Sequence, residues 1–420
     1  MRLRDHDQTQ STRGQGSSDV AVATAVAEPI FLDFQATTPI DAAVLEAMLP
    51  FLRGFVGNAH STNAHGLAAK QAVEQARGQV AGLLGAAPGE IVFTSGATEA
   101  NNLLIQGAAA AGARLGRNRV VTCVTEHKSV LEVTRQLARS GLDVIELPVD
   151  AEGIVDLDRL RASIDERTSV VSVMAANNEI GVLQPLAEIG RHCRSVGALF
   201  HSDAAQAAGK VQLSVEEANL DLLSLSGHKI YGPMGIGAAY IRRKVWRQVE
   251  PLFYGGGQEG GLRSGTLPVA MVVGFGEACR LAVETMESDA GRMTSLRELF
   301  IAQLKASGVD FVVNGSMDSR LPGNLNLSFP GVDAEALLMS LRGRVSIASG
   351  SACTAQSLEA SHVVQALGGG PTRAEEAVRI GFGRPTSEAE VIAAARLIAR
   401  AVARLRSVSY GAAAVGGALS

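Results

Sequence analysis

The chain of 420 residues is predicted to adopt an α/β fold. A large domain with a mostly parallel, seven-stranded sheet is followed by a smaller α+β domain. Three observations predict this. From Phe31 to about Arg243, short apolar runs alternate with helical patterns. Several of those runs are apolar on both faces, as buried parallel strands are. After Gly255-Gly256-Gly257 the alternation stops, and one long helical stretch precedes a few more strands.

The strand candidates of the first part are Ile91–Phe93, Val120–Val124, Val144–Leu147, Val170–Met174, Ala198–Ser202, Leu222–Leu225 and Ile236–Ile241. Between them lie helical stretches, among them Leu67–Leu84, Glu99–Ala111 and Leu186–Val196. The second part reads as a helix over Val269–Ser307, strands at Phe311–Val313, Asn324–Phe329, Val345–Ala348 and Val378–Phe382, and a last helix over Ser387–Leu405. This divides the chain into a disordered arm (1–28), a large domain (29–265), a small domain (266–408) and a flexible tail (409–420). The segment near 29–45 is expected to pack on the small domain.

Composition narrows the function classes. Hydrophobic residues make up 46% and charged residues 19%, a globular balance. A net charge of -4 supplies no overall basic field for nucleic acid or a lipid surface. No uninterrupted apolar run reaches the length of a membrane span. The opening residues are polar and lack the apolar stretch of a secretory signal. The four cysteines, Cys123, Cys193, Cys279 and Cys353, are far apart with no CxxC spacing. A disulfide framework or metal site is therefore not expected, and a reducing, cytoplasmic location is.

Four segments carry chemistry, each at the end of a strand candidate, where open α/β sheets place ligands. Thr94-Ser95-Gly96-Ala97-Thr98-Glu99 opens a helix, so its backbone N–H groups and the Thr98 hydroxyl can cradle a phosphate. The alternative is an ordinary Ser/Thr helix cap. Asp203, with Gln206 three residues on, can hold a protonated pyridine nitrogen and so turn a pyridine ring into an electron sink. The alternative is a helix-capping Asp. Lys229 follows a buried strand and is flanked by Ser226 and His228. Lysines are seldom held near a core unless paired or functional, and such a lysine has the lowered pKa of a nucleophile. An acid followed about 25 residues later by a lysine fits pyridoxal-phosphate (PLP) chemistry. The alternative is a surface lysine. His127, after Val120–Val124, can stack on a flat cofactor and move protons, although a lone histidine is more often structural.

Together these segments resemble the cysteine desulfurases, which are aminotransferase class V, fold type I PLP enzymes. The matching motifs are Phe31-Leu32-Asp33, Ser95-Gly96-Ala97-Thr98-Glu99, Glu126-His127-Lys128, Asn177-Asn178-Glu179-Ile180-Gly181, Ser226-Gly227-His228-Lys229, Arg263-Ser264-Gly265-Thr266-Leu267 and Gly350-Ser351-Ala352-Cys353-Thr354, in the family's order. The resemblance spans about Phe31 to Arg406. One segment departs: Ala59 stands where the family usually has proline.

The resemblance implies a role for each matching residue. Lys229 holds the cofactor, His127 stacks on it and moves protons, and Asp203 pairs with the pyridine nitrogen. Gln206 and Asn178 lie near the ring oxygen and substrate. Ala97, Thr98, Ser226 and His228 bind phosphate, and Thr266 reaches the phosphate of a partner subunit, which implies a homodimer. Arg379 clamps the substrate carboxylate, for which a guanidinium fork is suited. The run around Cys353 is similar to the NifS/IscS-like subgroup with a long cysteine loop.

Cys353 sits among small polar residues, whereas the other cysteines sit in apolar patterns, where cysteine is usually buried filler. The implied reaction takes sulfur from L-cysteine, leaving alanine and a persulfide on Cys353. Lys229 serves as the base. The sulfur then passes to an acceptor protein, an iron–sulfur scaffold or a thiolation factor, with a transient iron–sulfur cluster bridged through Cys353. The rival readings are a selenocysteine or cysteine sulfinate lyase, a transaminase, and a non-enzymatic sulfur-relay partner.

Overall fold

The computed structural model describes residues 28–350 and 360–416, with side chains in the last helix as far as residue 408. Its centre is a seven-stranded sheet. The strand order is Ile91–Thr94, Gly237–Ile241, Leu222–Ser226, Leu199–Asp203, Thr168–Ser172, Arg119–Cys123 and Asp143–Leu147. Gly237–Ile241 runs antiparallel to both neighbours, and the other pairings are parallel. Because that strand is reversed between Ile91–Thr94 and Leu222–Ser226, those two point the same way. The carboxyl ends of all the other strands therefore meet at one edge of the sheet.

Four of the five inner strands are buried along their whole length, which explains why their sequences lack an apolar/polar alternation. Helices cover both faces. Ala64–Leu84 and the first half of Val269–Ala306 pack on one side through Val73, Val80, Val272 and Phe275. Ala97–Arg114 packs on the other through Leu103, Leu104 and Ile105. Ala64–Leu84 begins where Asn63 accepts the Gly66 N–H at 2.8 Å and stops at Gly85, which is left-handed at φ 67°.

A second core surrounds a four-stranded antiparallel sheet in the order Ala348–Ser349, Ala377–Gly381, Asn324–Ser328, Val312–Val313. Phe300, Leu304, Leu325, Phe329, Ile380 and Ile398 fill it. The helix Val269–Ala306 joins the two cores, since its second half supplies Leu296, Phe300 and Leu304. The chain after Glu28 returns to this second core. Ile30–Phe31 pairs in parallel with Val345–Ser346, and Asp33 bridges to Gly381.

Two expectations need correction. Val345–Ala348 is not one strand. Val345–Ser346 pairs with Ile30–Phe31, whereas Ala348–Ser349 joins the four-stranded sheet. The break comes from a change of partner, and no turn residue in the sequence marks it. The last helix also runs Glu388–Gly416, past the expected end at Leu405 and into the supposed loose tail. Alanines, the strongest helix formers, carry it on. At Ala59, where the family usually has proline, a turn closes with Ser61 N–H donating to Asn58 O at 2.9 Å, and Ala59 is buried. Among the described residues no helix is long and apolar enough to cross a membrane.

Candidate active site

The converging strand ends build one cavity of about 490 Å³, within the range of small-molecule sites. Ser95-Gly96-Ala97-Thr98 leaves the strand Ile91–Thr94 and starts the helix Ala97–Arg114. Gly96 adopts φ +150° with its missing Cβ directed toward the Ser226 hydroxyl, 3.9 Å away. Only glycine enters this conformation readily. Behind it, a Cβ on Gly237 would meet the Gly96 backbone at 2.6 Å, so the loop lies directly on the sheet. The result is a hollow floored by a helix N-terminus and edged by Ser226 and His228. Burial, then Lys229 and Lys210, pushes the His228 imidazole down to about 4, so it is neutral at physiological pH. Its Nδ1 lies 3.1 Å from the Thr37 hydroxyl.

Lys229 closes the short helical turn that follows the strand Leu222–Ser226. Its Nζ donates to the carbonyls of Gln35 at 2.6 Å and Ala36 at 2.8 Å. Asp203 ends the neighbouring strand and is buried on the same cavity. One carboxylate oxygen caps the following turn by accepting from Ala205 N at 2.9 Å, and the other accepts from Asn101 Nδ2 at 2.7 Å. The capping role considered for Asp203 is thus present alongside a cavity-facing one. Gln206 donates to Gln35 O at 2.9 Å and accepts from Lys210 Nζ at 2.9 Å.

His127 caps the helix Lys128–Arg139, with its Nδ1 accepting from Ser129 N at 3.1 Å. Asn178 and Arg379 line the far wall. Arg379 donates to Asn178 O at 3.0 Å and pairs with Asp33 at 2.7 Å. Asn178 Oδ1 and Arg379 Nε are buried with no hydrogen-bond partner among the described residues. Ala97, Thr98, His127, Asn178, Asp203, Gln206, Ser226, His228, Lys229 and Arg379 therefore share one lining. Thr266 does not: it is exposed on the loop beyond Arg263, which ion-pairs with Glu99 at 2.8 Å. Cys353 lies outside the described residues.

Sequence reasoning passed over several members of the site. Asn101 is a polar residue on the otherwise apolar inner face of its helix, one turn after Ala97, and that was the available signal. Ser129 carried no signal beyond its nearness to His127. Lys210 was visible as a lysine seven residues after Asp203. It lies beside that cavity, in an adjoining pocket with Lys229, and touches the site through Gln206. Burial, then Lys229 and Arg379, pushes its ammonium down to about 7.

Two buried acids flank the site. Burial, then the Asp203 charge, holds the Glu126 carboxyl well above the usual carboxylate range. Burial raises Glu179 to about 7, against the pull of the Ser361 hydroxyl, Arg379, His127 and Lys128. Ser361 donates to Glu179, and a Cβ on Gly350 would lie 2.5 Å from the same carboxyl oxygen. Both described edges of the segment that holds Cys353 thus rest against Glu179, next to Asn178. The other three cysteines are buried and unbridged. Burial raises Cys123 to about 11 and pushes Cys193 and Cys279 up further.

Comparison with known proteins agrees with this architecture. The aminotransferase class-V family matches residues 30–393. The mitochondrial cysteine desulfurase of Arthroderma benhamiae is 50% identical over 91% of this chain and 76% of its own length. The cysteine desulfurase IscS of Rickettsia bellii is 47% identical over 91% of this chain and 93% of its own. A solved NifS-like protein superposes with a TM-score of 0.83 at 36% identity, covering 89% of this chain and 99% of the other. The chain belongs to the aminotransferase class-V family and, within it, to the cysteine desulfurases.

Proposed function

We propose that the chain is a PLP-dependent cysteine desulfurase that converts L-cysteine to L-alanine and leaves a persulfide on Cys353. The observation that carries this reading is the convergence of Lys229, Asp203, His127 and Arg379 on one cavity, in a chain half identical to cysteine desulfurases.

The residues present fit the cofactor. The hollow at Gly96 is open where a Cβ would fill it. Asp203 offers a carboxylate to a pyridinium, and the buried Asn178 Oδ1 awaits a donor. Lys229 would hold the cofactor, Ala97, Thr98, Ser226 and His228 its phosphate, and Gln206 the ring oxygen. Bound there, PLP supplies an electron sink for the α-carbon of an amino acid.

The chain's own groups do the rest. Arg379, already braced by Asp33, receives the substrate carboxylate. Lys229 Nζ takes the α-proton and returns it. The Cys353 thiolate attacks the substrate sulfur. An S–S bond forms, the Cβ–S bond breaks, and a proton replaces sulfur on Cβ, giving alanine and Cys353 persulfide. The electron pair of the broken Cβ–S bond stays on Cβ, which is reduced to a methyl group as the sulfur is oxidised to the persulfide level, so no external oxidant enters. The three described cysteines are unsuited to this step, because burial keeps them as thiols.

The reading extends to a homodimer, with the exposed Thr266 of the partner subunit completing the phosphate site. It also includes an acceptor protein for the persulfide sulfur and a cytoplasmic location, which the three unbridged cysteines among the described residues fit. The test is titration of the full chain with PLP, followed by alanine production from L-cysteine. The protein is expected to develop a visible absorbance band and make alanine. Lys229→Ala is expected to lose both. A Lys229→Ala protein that kept the band would overturn the cofactor assignment.

A further inference from the structure

Two side chains span the gap between the Asp203 carboxylate and the His127 ring. Asn101 Nδ2 lies 2.7 Å from Asp203 Oδ2 and 2.8 Å from Ser129 Oγ. Ser129 Oγ lies 2.8 Å from His127 Nδ1, and Ser129 N also donates to that nitrogen. Asn101 is completely buried, and its Oδ1 has no partner among the described residues.

Counting protons gives this chain one direction. If the Asn101 amide were turned over, its oxygen would face the Asp203 carboxylate, so the NH₂ group is the one between Asp203 and Ser129. Its two hydrogens go one to each neighbour. Ser129 Oγ is thus an acceptor toward Asn101. The Ser129 backbone N–H donates to His127 Nδ1, so that nitrogen presents its lone pair, and the single hydroxyl hydrogen lies between Oγ and Nδ1. The lone pair of Nδ1 then accepts from both the hydroxyl and the backbone N–H of Ser129. A ring nitrogen that accepts cannot carry a proton, so the neutral ring holds its proton at Nε2.

We propose that Ser129, oriented by Asn101 and through it by Asp203, is a positioning residue that fixes His127 as the Nε2–H tautomer. This rests on the desulfurase reading for its purpose but not for its geometry. The carboxylate assigned to the pyridine nitrogen and the imidazole assigned to proton movement then belong to one hydrogen-bonded chain. Loss of the hydroxyl removes one donor from Nδ1 and takes its acceptor from one Asn101 hydrogen.

The test is ring nitrogen-15 NMR of full-length, histidine-labelled protein, with and without PLP. A His127→Gln sample assigns the signal. Wild type is expected to show a protonated Nε2 and an unprotonated Nδ1. Ser129→Ala is expected to lose the single pattern and populate the Nδ1–H form. Ser129→Thr, which restores the hydroxyl, is expected to return to wild type. Asn101→Ala is expected to behave as Ser129→Ala, and it answers the question should one variant fail to fold. A wild-type ring protonated at Nδ1, or a Ser129→Ala ring identical to wild type, overturns the proposal. The desulfurase reading fails by a separate sign, the absence of PLP uptake, and the cofactor-free spectra still decide the role of Ser129.

Discussion

Glu179 joins the chemistry of one residue to a measurable property of the protein. Its carboxyl ionises near 4.5 when unperturbed and near about 7 when buried in the fold. Between those values the folded state holds a proton that the unfolded state has released. Stability therefore falls as pH rises through this window and levels off above it, by an amount on the order of 3 kcal/mol. Glu179→Gln, which cannot ionise, is expected to remove this dependence. Denaturant unfolding of both proteins at pH 5 and pH 8 checks it, and equal pH slopes would contradict the assignment. Gly96 gives a second expectation at this scale. Gly96→Ala forces a Cβ into a conformation that disfavours side chains and into the hollow itself. The backbone cost is about 1–3 kcal/mol, and PLP affinity is expected to fall much further than stability. Binding titrations beside thermal melts would show the difference.

Among the elements, the loop from Gly255 to Arg263 is held by a buried ion pair. Arg77 and Glu259 meet through two contacts of 2.8 Å, Glu259 also accepts from Phe93 N at 2.7 Å, and Arg77 lies over the Phe93 ring. Glu259→Ala leaves the buried guanidinium with only the half-exposed Glu74 and the Ile91 carbonyl as partners, with an expected loss of about 3 kcal/mol. Because the loop carries Arg263, which grips Glu99 beside the phosphate hollow, weaker PLP binding should accompany the loss. A variant as stable as wild type would show that the pair does not hold the loop. The strands and helices themselves were largely readable from sequence, because buried parallel strands leave uninterrupted apolar runs such as Val170-Val171 and Leu222-Leu223. Ion pairs of this kind were not, since Arg77 and Glu259 are far apart in the chain and neither belongs to a local pattern. The same reason hid the split at Ile347, where the chain changes sheets.

For the whole molecule, the site lies where the two cores meet. Lys229, Asp203 and His127 come from the ends of sheet strands, whereas Arg379 comes from the four-stranded sheet and is braced by Asp33 from the start of the chain. The residues at strand ends were legible because reactive side chains after apolar runs stand out. Asn101, Ser129 and Lys210 left only weak signals or none, because their partners are supplied by the fold. The exposed Thr266 belongs to this scale too. Light scattering is expected to give twice the chain mass, and a monomer that nevertheless binds PLP tightly would remove the partner subunit from the site. The central claim is that sulfur leaves L-cysteine onto Cys353. The most direct measurement is alanine and sulfide release from L-cysteine with a reductant, for wild type and Cys353→Ala side by side. The account predicts release by wild type and its collapse in the variant, and equal rates in the two proteins would contradict it.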